Sequence, residues 1–322
     1  MAPGDKLQRT ITGWRLRSRE LKLGERTRVM GVVNITPDSF SDGGRYFEAE
    51  HAIEYGLRLL SEGADLLDLG AESTRPGVRV ADSRSTDALQ ADVSAEEEQA
   101  RLLPVLEGLL KARPDAIISV DTYKASTAHA AVAAGAEIVN DVSGFRWDEA
   151  MSTACAELGC GVVLMHTRGR PHEWNTQSPI MRGEVLPLVR EGLATSMKAA
   201  LDAGTPSDAI VLDPGYGFGK RLDENYDLLA RQEELLALGR PLLTGLSRKS
   251  FLTRTLAKQP WFTGMYPDGH VHTESREIAS VAAVVAAIMH GASIVRVHAV
   301  RQAIEAAAIA DAVLAAGQDE KM

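Results

Sequence analysis

The sequence is poor in cysteine, with only Cys155 and Cys160 among 322 residues. Five positions apart and with no second pair, they do not form a zinc site. They read as core thiols flanking a helix-to-strand turn, and so few thiols suit a reducing compartment. Basic residues are outnumbered by acidic ones, 35 to 44, and the net charge is −9. Nucleic-acid binders usually present a basic face, so nucleic acid is not an expected partner. The start of the chain, with Asp5, Lys6 and Arg9, lacks the apolar stretch of a secretory leader. No run is long and apolar enough to span a bilayer. These absences predict a cytoplasmic protein with no membrane partner. A dinucleotide fingerprint is missing too. Gly215-Tyr-Gly-Phe-Gly219 follows the sixth apolar run, has the wrong spacing, and reads as a tight loop allowing close backbone approach to a ligand.

What is present is ordinary globular material, 45% hydrophobic and 25% charged, and long enough for one large barrel or two medium domains. From Val29 onward, short runs rich in Val, Ile and Leu alternate with helical patterns. Strands are predicted over 29–35, 66–69, 117–120, 137–140, 162–165, 210–212, 242–245 and 294–297. Each run is nearly continuous, as a parallel strand covered by helices should be. Helices are predicted over 49–61, 95–110, 125–134, 186–203, 225–238, 277–290 and 301–315. Gly63, Gly135, Gly159, Gly204 and Gly291 sit where helices should stop. Eight βα units predict a (β/α)8 TIM barrel over 29–318, with a doubly wound open sheet as the alternative. Residues 1–28 read as an extension. Its alternating stretch from Trp14 to Leu23 suggests a small hairpin outside the main fold. Segments 75–94 and 259–273 exceed ordinary loop lengths and follow the second and seventh strands, on the side where a barrel carries its active-site loops. The Ala-rich last helix reads as a packing surface, with oligomer contact as the lesser alternative.

Polar residues gather where the apolar strands end. Asn34 ends the first, Asp121 the third, Asn140 and Asp141 the fourth, His166 the fifth and Asp213 the sixth. Ser247, Arg248 and Lys249 follow the seventh, and Arg296 and His298 end the eighth. One such residue is commonly a helix cap. Seven of eight strands ending this way is more than capping explains, because buried carboxylates and amides need partners. Asp121, Asn140 and Asp213 suit the amino and imino edge of a flat heterocycle. Lys249 suits a ring carbonyl or nitrogen. Arg296 and His298 form a cationic corner for phosphate. Asn34 is a neutral oxygen that could help hold a magnesium bound mainly by phosphate and water. His51, His129, His172, His270, His272 and His290 share no spacing and read as surface or packing residues. Glu96, Glu97 and Glu98 read as a solvated helix start.

Several segments resemble one family in the same order along the chain. They are Met30-Gly-Val-Val-Asn-Ile-Thr-Pro-Asp-Ser-Phe-Ser-Asp-Gly-Gly44, Asp68-Leu-Gly-Ala-Glu-Ser-Thr-Arg-Pro-Gly77, Ser119-Val-Asp-Thr-Tyr-Lys124, Val139-Asn-Asp-Val-Ser-Gly144, Leu212-Asp-Pro-Gly-Tyr-Gly-Phe-Gly-Lys220 and Ser247-Arg-Lys-Ser250. Over about residues 29–315 the chain resembles dihydropteroate synthase. The resemblance implies condensation of p-aminobenzoate with 6-hydroxymethyl-7,8-dihydropterin pyrophosphate, in a homodimer using Mg2+. It implies that Asp121, Asn140, Asp213 and Lys249 hold the pterin, with Met165 among the substrate-binding residues. Asn34, Arg296 and His298 would handle pyrophosphate and its magnesium. Thr74, Arg75, Pro76, Phe218 and Ser247 would shape the p-aminobenzoate pocket, with Asp42 on the first loop. Asp121, Lys249, Arg296 and His298 are the expected catalytic set.

The chemistry of those residues agrees. A polyanion leaves a methylene carbon, and cations neutralise the departing oxygens. The amine then attacks without a strong general base, which accounts for the absence of a nucleophile–base pair. The sequence departs from the family where Arg296-Val-His is followed by Ala299 rather than aspartate, and the second loop is longer. A pterin-binding protein on the same barrel that has lost synthesis, and a pterin-dependent methyltransferase, are the alternatives. The Thr74-Arg75-Pro76 loop favours the synthase.

Overall fold

Two short antiparallel strands, β1 (Thr12–Arg15) and β2 (Glu20–Leu23), make the expected hairpin. The computed structural model describes residues 10–35, 45–72, 93–266 and 269–317. After the hairpin, strands and helices alternate: β3 (Arg28–Asn34), α1 (Arg45–Ser61), β4 (Leu66–Gly70), α2 (Ala95–Ala112), β5 (Ile118–Asp121), α3 (Ala125–Ala133), β6 (Ile138–Asp141) and α4 (Met151–Leu158). Then come β7 (Gly161–Met165), α5 (Val185–Asp202), β8 (Ile210–Asp213), α6 (Leu222–Leu229), β9 (Leu242–Thr244), α7 (Ser250–Ala257), α8 (Phe262–Met265), α9 (Thr273–Met289), β10 (Ala292–Val297) and α10 (Val300–Ala316). Strands β3 to β10 are parallel and close on one another, with β10 beside both β3 and β9. Closure removes the open-sheet alternative. Each strand lies within two residues of its expected bounds, and the five helix-stopping glycines all take positive φ.

The hairpin does not lie outside the main fold, where the sequence reading placed it. Trp14, Leu16 and Leu23 are fully buried against Met30, Leu66, Ile138, Val163, Val211, Leu243 and Ile294. Those seven residues come from seven different barrel strands, near their N-terminal ends. The hairpin is thus the floor of the barrel. Trp14 Nε1 donates to the Ala209 carbonyl at 2.9 Å, so its one polar atom is satisfied. Glu137, just before β6, accepts from the backbone N–H of Ser18 at 2.8 Å and ties down the hairpin turn. Trp14→Ala should therefore lower the unfolding free energy by about 3–5 kcal/mol. Urea denaturation checks it, and a loss under about 1 kcal/mol would make the hairpin an accessory.

Three further expectations need correction. The helix expected over 225–238 is broken into α6 and a 3-10 turn at Gln232–Leu238. The cause is Gln232, whose buried amide accepts from Tyr216 and Thr244, each at 2.9 Å, and donates to the carbonyls of Ala287 and His290. Satisfying four partners inside the barrel wall turns the chain off its helical path at Arg231 (φ −134°). Segment 259–273 is not all loop. It holds α8, with Phe262, Tyr266 and Val271 in a small apolar cluster. The acidic run is not uniformly solvated either. Glu98 is buried, bonded to Lys124 at 3.2 Å and Thr127 at 2.8 Å. Both cysteines are buried free thiols, as expected. Among the described residues no helix is long and apolar enough to cross a membrane.

Candidate active site

Side chains in a strand alternate between its two faces, so residues two apart share one face. The floor residues Leu66, Ile138, Val163, Val211, Leu243 and Ile294 point into the barrel. Two positions further along each strand stand Asp68, Asn140, Met165, Asp213, Gly245 and Arg296. The same step from Ile117, which packs against the floor, gives Ser119 and then Asp121. On β4, β6, β8 and β10 the barrel interior therefore changes from apolar to polar in one step toward the C-terminal ends of the strands, while β3 and β7 keep the apolar Val32 and Met165 at that level.

The centre of this layer is an ion pair with a shared cation. Arg296 Nε donates to Asp68 at 2.6 Å, and Arg296 Nη2 donates to Asp121 at 2.8 Å. Asp68, fully buried, also accepts from Ser119 Oγ at 2.6 Å and from Asn140 Nδ2 at 3.0 Å. It thereby fixes both the guanidinium and the amide. Burial pushes the Asp121 carboxyl up to about 7, against the pull of Arg296 and with Asp68 adding to the push. One-fifth of that side chain stays open to the cleft (20%), so solvent moderates the rise. Burial works against the Arg296 guanidinium, but Asp68 and Asp121 outweigh it, and its proton is held more tightly than usual. Asp213 is also pushed up by burial, opposed by the Gly215 N–H and by Lys249 and Arg296.

Loops complete the walls. Asp213 accepts from the Gly215 N–H at 2.7 Å. Gly215 has φ +69°, and a Cβ there would lie 1.9 Å from the His166 carbonyl oxygen, so glycine is required. Lys220 Nζ is buried under this loop and donates to the carbonyls of Gly215 at 2.7 Å, His166 at 3.2 Å and Phe218 at 3.4 Å. The loop in turn presents Phe218, with Lys249 Nζ 4.1 Å from its ring centroid. Lys249 is aimed by Arg248, which takes φ +58°, gives its N–H to Ser280 Oγ at 2.9 Å and pairs outward with Glu277. Ser247 Oγ accepts from the His298 N–H at 3.2 Å and lies 3.0 Å from His298 Nδ1.

Asp121, Asn140, Met165, Asp213, Phe218, Lys249 and Arg296 thus line one cleft of about 340 Å3, counting its open mouth. Ser247 and His298 are paired with each other, and Asn34 ends β3, half-buried. Two expected members of the mouth turn the other way. Asp141 spends both oxygens on the N–H groups of Ser143 and Phe145, at 2.7 and 2.9 Å. His166 is buried toward α5, where a Cβ on Gly192 would meet its ring at 2.4 Å. Each directly follows an inward residue, so alternation sends it outward. Thr74, Arg75, Pro76 and Asp42 lie outside the described residues. Asp68 and Lys220 are the residues that sequence reading missed. Ala299, at the unusual position, is the N-cap of α10 and offers no side-chain bond to it, so the missing aspartate is in part a missing cap worth about 1 kcal/mol.

A family profile described as pterin binding enzyme matches residues 30–298. The dihydropteroate synthase of Mycobacterium leprae (strain TN) is 41% identical over 297 residues, 92% of this chain and 96% of that protein. Among solved structures, Xanthomonas albilineans dihydropteroate synthase with 4-aminobenzoic acid is similar with a TM-score of 0.79 and 40% identity, covering 95% of this chain and 99% of that one. Yersinia pestis dihydropteroate synthase in a sulfonamide drug complex is similar with a TM-score of 0.80 and 37% identity, covering 94% and 100%.

Proposed function

The chain belongs to the pterin-binding enzyme family and its activity is that of a dihydropteroate synthase; on that premise we propose how its own residues divide the work. The observation that carries the assignment is the inward ring of Asp121, Asn140, Asp213, Lys249 and Arg296 around one cleft. Asp213 and Asn140 accept from and donate to the amino and imino edge of the pterin. Lys249 meets a ring carbonyl or nitrogen. Met165 covers a flat face of the pterin, and Phe218 shapes the p-aminobenzoate pocket beside it. Arg296 and His298 bind pyrophosphate, and Ser247 orients His298. Thr74, Arg75, Pro76 and Asp42, outside the described residues, are assigned to p-aminobenzoate by the family resemblance alone.

In the reaction the bond from methylene carbon to pyrophosphate oxygen breaks, and pyrophosphate leaves with the electron pair. The p-aminobenzoate nitrogen forms the new bond to that carbon and gives up a proton. Arg296 and His298 take up the growing negative charge on the leaving oxygens. The ionised Asp121 faces the carbon side, where positive charge develops. Water would compete for the same carbon, so the reaction requires that it be kept out.

Magnesium fits this site in a limited way. Among the described residues no three His, Cys, Asp or Glu side chains converge as a cage. Asn34 offers one neutral oxygen, and the nearby carboxylate Asp68 is already taken by Arg296, Asn140 and Ser119. That donor set suits an ion held chiefly by phosphate oxygens and water. When bound, magnesium would neutralise charge on the pyrophosphate. Cytoplasmic location is supported by two buried free thiols. A homodimer is supported by Ile278, Ile309 and Val313, exposed on α9 and α10, which pack together. The net charge of −9 supports no nucleic-acid partner.

The test is pyrophosphate release from pterin pyrophosphate with magnesium, with and without p-aminobenzoate, and the product mass. Amine-dependent release with the mass of dihydropteroate is the expected result. Pterin binding without condensation would sink the reading.

A further inference from the structure

Asp68 Oδ2 accepts from two donors at once, Arg296 Nε at 2.6 Å and Asn140 Nδ2 at 3.0 Å. Its Oδ1 takes the Ser119 hydroxyl at 2.6 Å, from the strand beside its own. The side chain has no exposure, so solvent cannot stand in for any of these partners. One oxygen on β4 thus joins the guanidinium on β10 to an amide on β6. A simple ion pair with Arg296 would need neither Ser119 nor Asn140.

An asparagine on a cleft wall can turn its amide end for end, and so offer a donor or an acceptor to the same place. Asn140 has lost that choice. A carboxylate accepts and does not donate, so only the NH2 end of the amide can face Asp68. The carbonyl end, Oδ1, accepts from no described residue and is not shut away from solvent, so it opens on the cleft that Asn140 lines. Asp213, two strands further round the barrel, lines the same cleft and takes the Gly215 N–H through Oδ1. Two such acceptors suit an amino group, which has one hydrogen for each. A buried polar network with every member satisfied holds one arrangement, and here the arrangement fixes which end of an amide a ligand meets.

We propose that Asp68 is a positioning residue that determines specificity: it locks the Asn140 amide so that Oδ1 receives the exocyclic amino group of the pterin. This rests on the reading that the cleft holds a pterin. Asp68 touches no substrate and acts through Asn140.

The test is calorimetric binding to the full chain of 6-hydroxymethylpterin and of the same ring with hydrogen in place of the amino group. The wild-type chain should prefer the amino ring by about a hundredfold. Asp68→Ala releases the amide, and the preference should fall about tenfold. Asp68→Asn loses the charge and some affinity for both rings, but should keep the preference within about threefold of wild type. Its oxygen can still accept from Arg296 and Asn140, because its NH2 can turn to Ser119, whose hydroxyl also accepts. A purely structural role would weaken both rings alike in Asp68→Ala and leave the preference unchanged, and that result overturns the proposal. So does an Asp68→Asn chain that loses the preference as fully as the alanine variant. If Asp68→Ala does not fold, Asn140→Ala decides the matter, since it removes no charge. It should weaken the amino ring about tenfold and leave the other within about threefold, and an equal loss for both rings overturns the proposal. A wild-type chain that binds neither ring overturns the pterin reading itself. One that binds both rings alike overturns this proposal alone.

Discussion

Asp121→Asn is expected to cut turnover about a thousandfold and to leave the barrel no less stable. The substitution keeps shape and a hydrogen-bond acceptor, so the contact with Arg296 Nη2 at 2.8 Å can persist. What it removes, on the proposed division of work, is the negative charge facing the carbon from which pyrophosphate departs. Removing one group aimed at developing charge typically costs about 10²–10³ in rate. The stability half follows from linkage. Burial pushes the folded-state pKa up to about 7, above the ordinary 3.8. A raised carboxyl makes its favourable contribution below the unfolded value and loses it as pH rises through the folded one. At pH 8 the ionised Asp121 is therefore a cost to the fold, and asparagine removes it. The melting temperature should stay level or rise by a few degrees. The same shift predicts an acid limb in kcat/KM for pterin pyrophosphate, falling about tenfold per pH unit below about 7. Pyrophosphate protonation affects both proteins alike, so the readout is the difference between the two profiles. A variant within tenfold of wild type, or one that keeps the same limb, would take Asp121 out of the chemistry.

The barrel could be read from sequence because a parallel strand covered by helices is buried on both faces. Its apolar run is uninterrupted, and it stops where the chain must turn. The same property hid Asp68, which sits inside the run Leu66–Gly70 and looks like an interruption rather than a site. Alternation from the floor finds it: stepping two residues from Leu66, Ile138, Val211 and Ile294 lands on Asp68, Asn140, Asp213 and Arg296. Alternation also separates Asn140 from Asp141 and Met165 from His166, which position at a strand end alone cannot do. Glu98 was legible by the helical period, since it shares a face with the buried Leu102, Val105, Leu106 and Leu109. The role of Trp14 was not legible. Its partners come from seven strands scattered through the chain, and nothing local in residues 12–23 states that the barrel floor is otherwise open. Lys220 was hidden for a similar reason, because its three carbonyl partners exist only once the loop 215–219 has folded.

Lys249→Ala should lower kcat/KM for pterin pyrophosphate by about 10²–10³, and it should do so through three losses that share one atom. First, the substrate loses a charged donor, worth about 1.5–3 kcal/mol where water is excluded. Second, Phe218 loses the ammonium 4.1 Å from its ring centroid, a contact worth about 0.5–2 kcal/mol that helps keep the ring over the cleft. Third, the Asp213 carboxyl, already raised by burial, loses one of the charges that oppose the rise. It then spends more of its time protonated and accepts less well from the amino edge of the pterin. These effects are not additive, because the loop holding Phe218 and the Asp213 turn are joined at Gly215 and Lys220. Lys249→Arg restores charge but not the compact point of an ammonium, and should recover only part of the activity. The fold should survive both changes. Lys249 is an N-cap with no side-chain capping bond, so α7 loses no cap. Pterin affinity should fall with kcat/KM. A folded Lys249→Ala protein with pterin affinity within threefold of wild type would show that the cleft does not hold the pterin at this lysine.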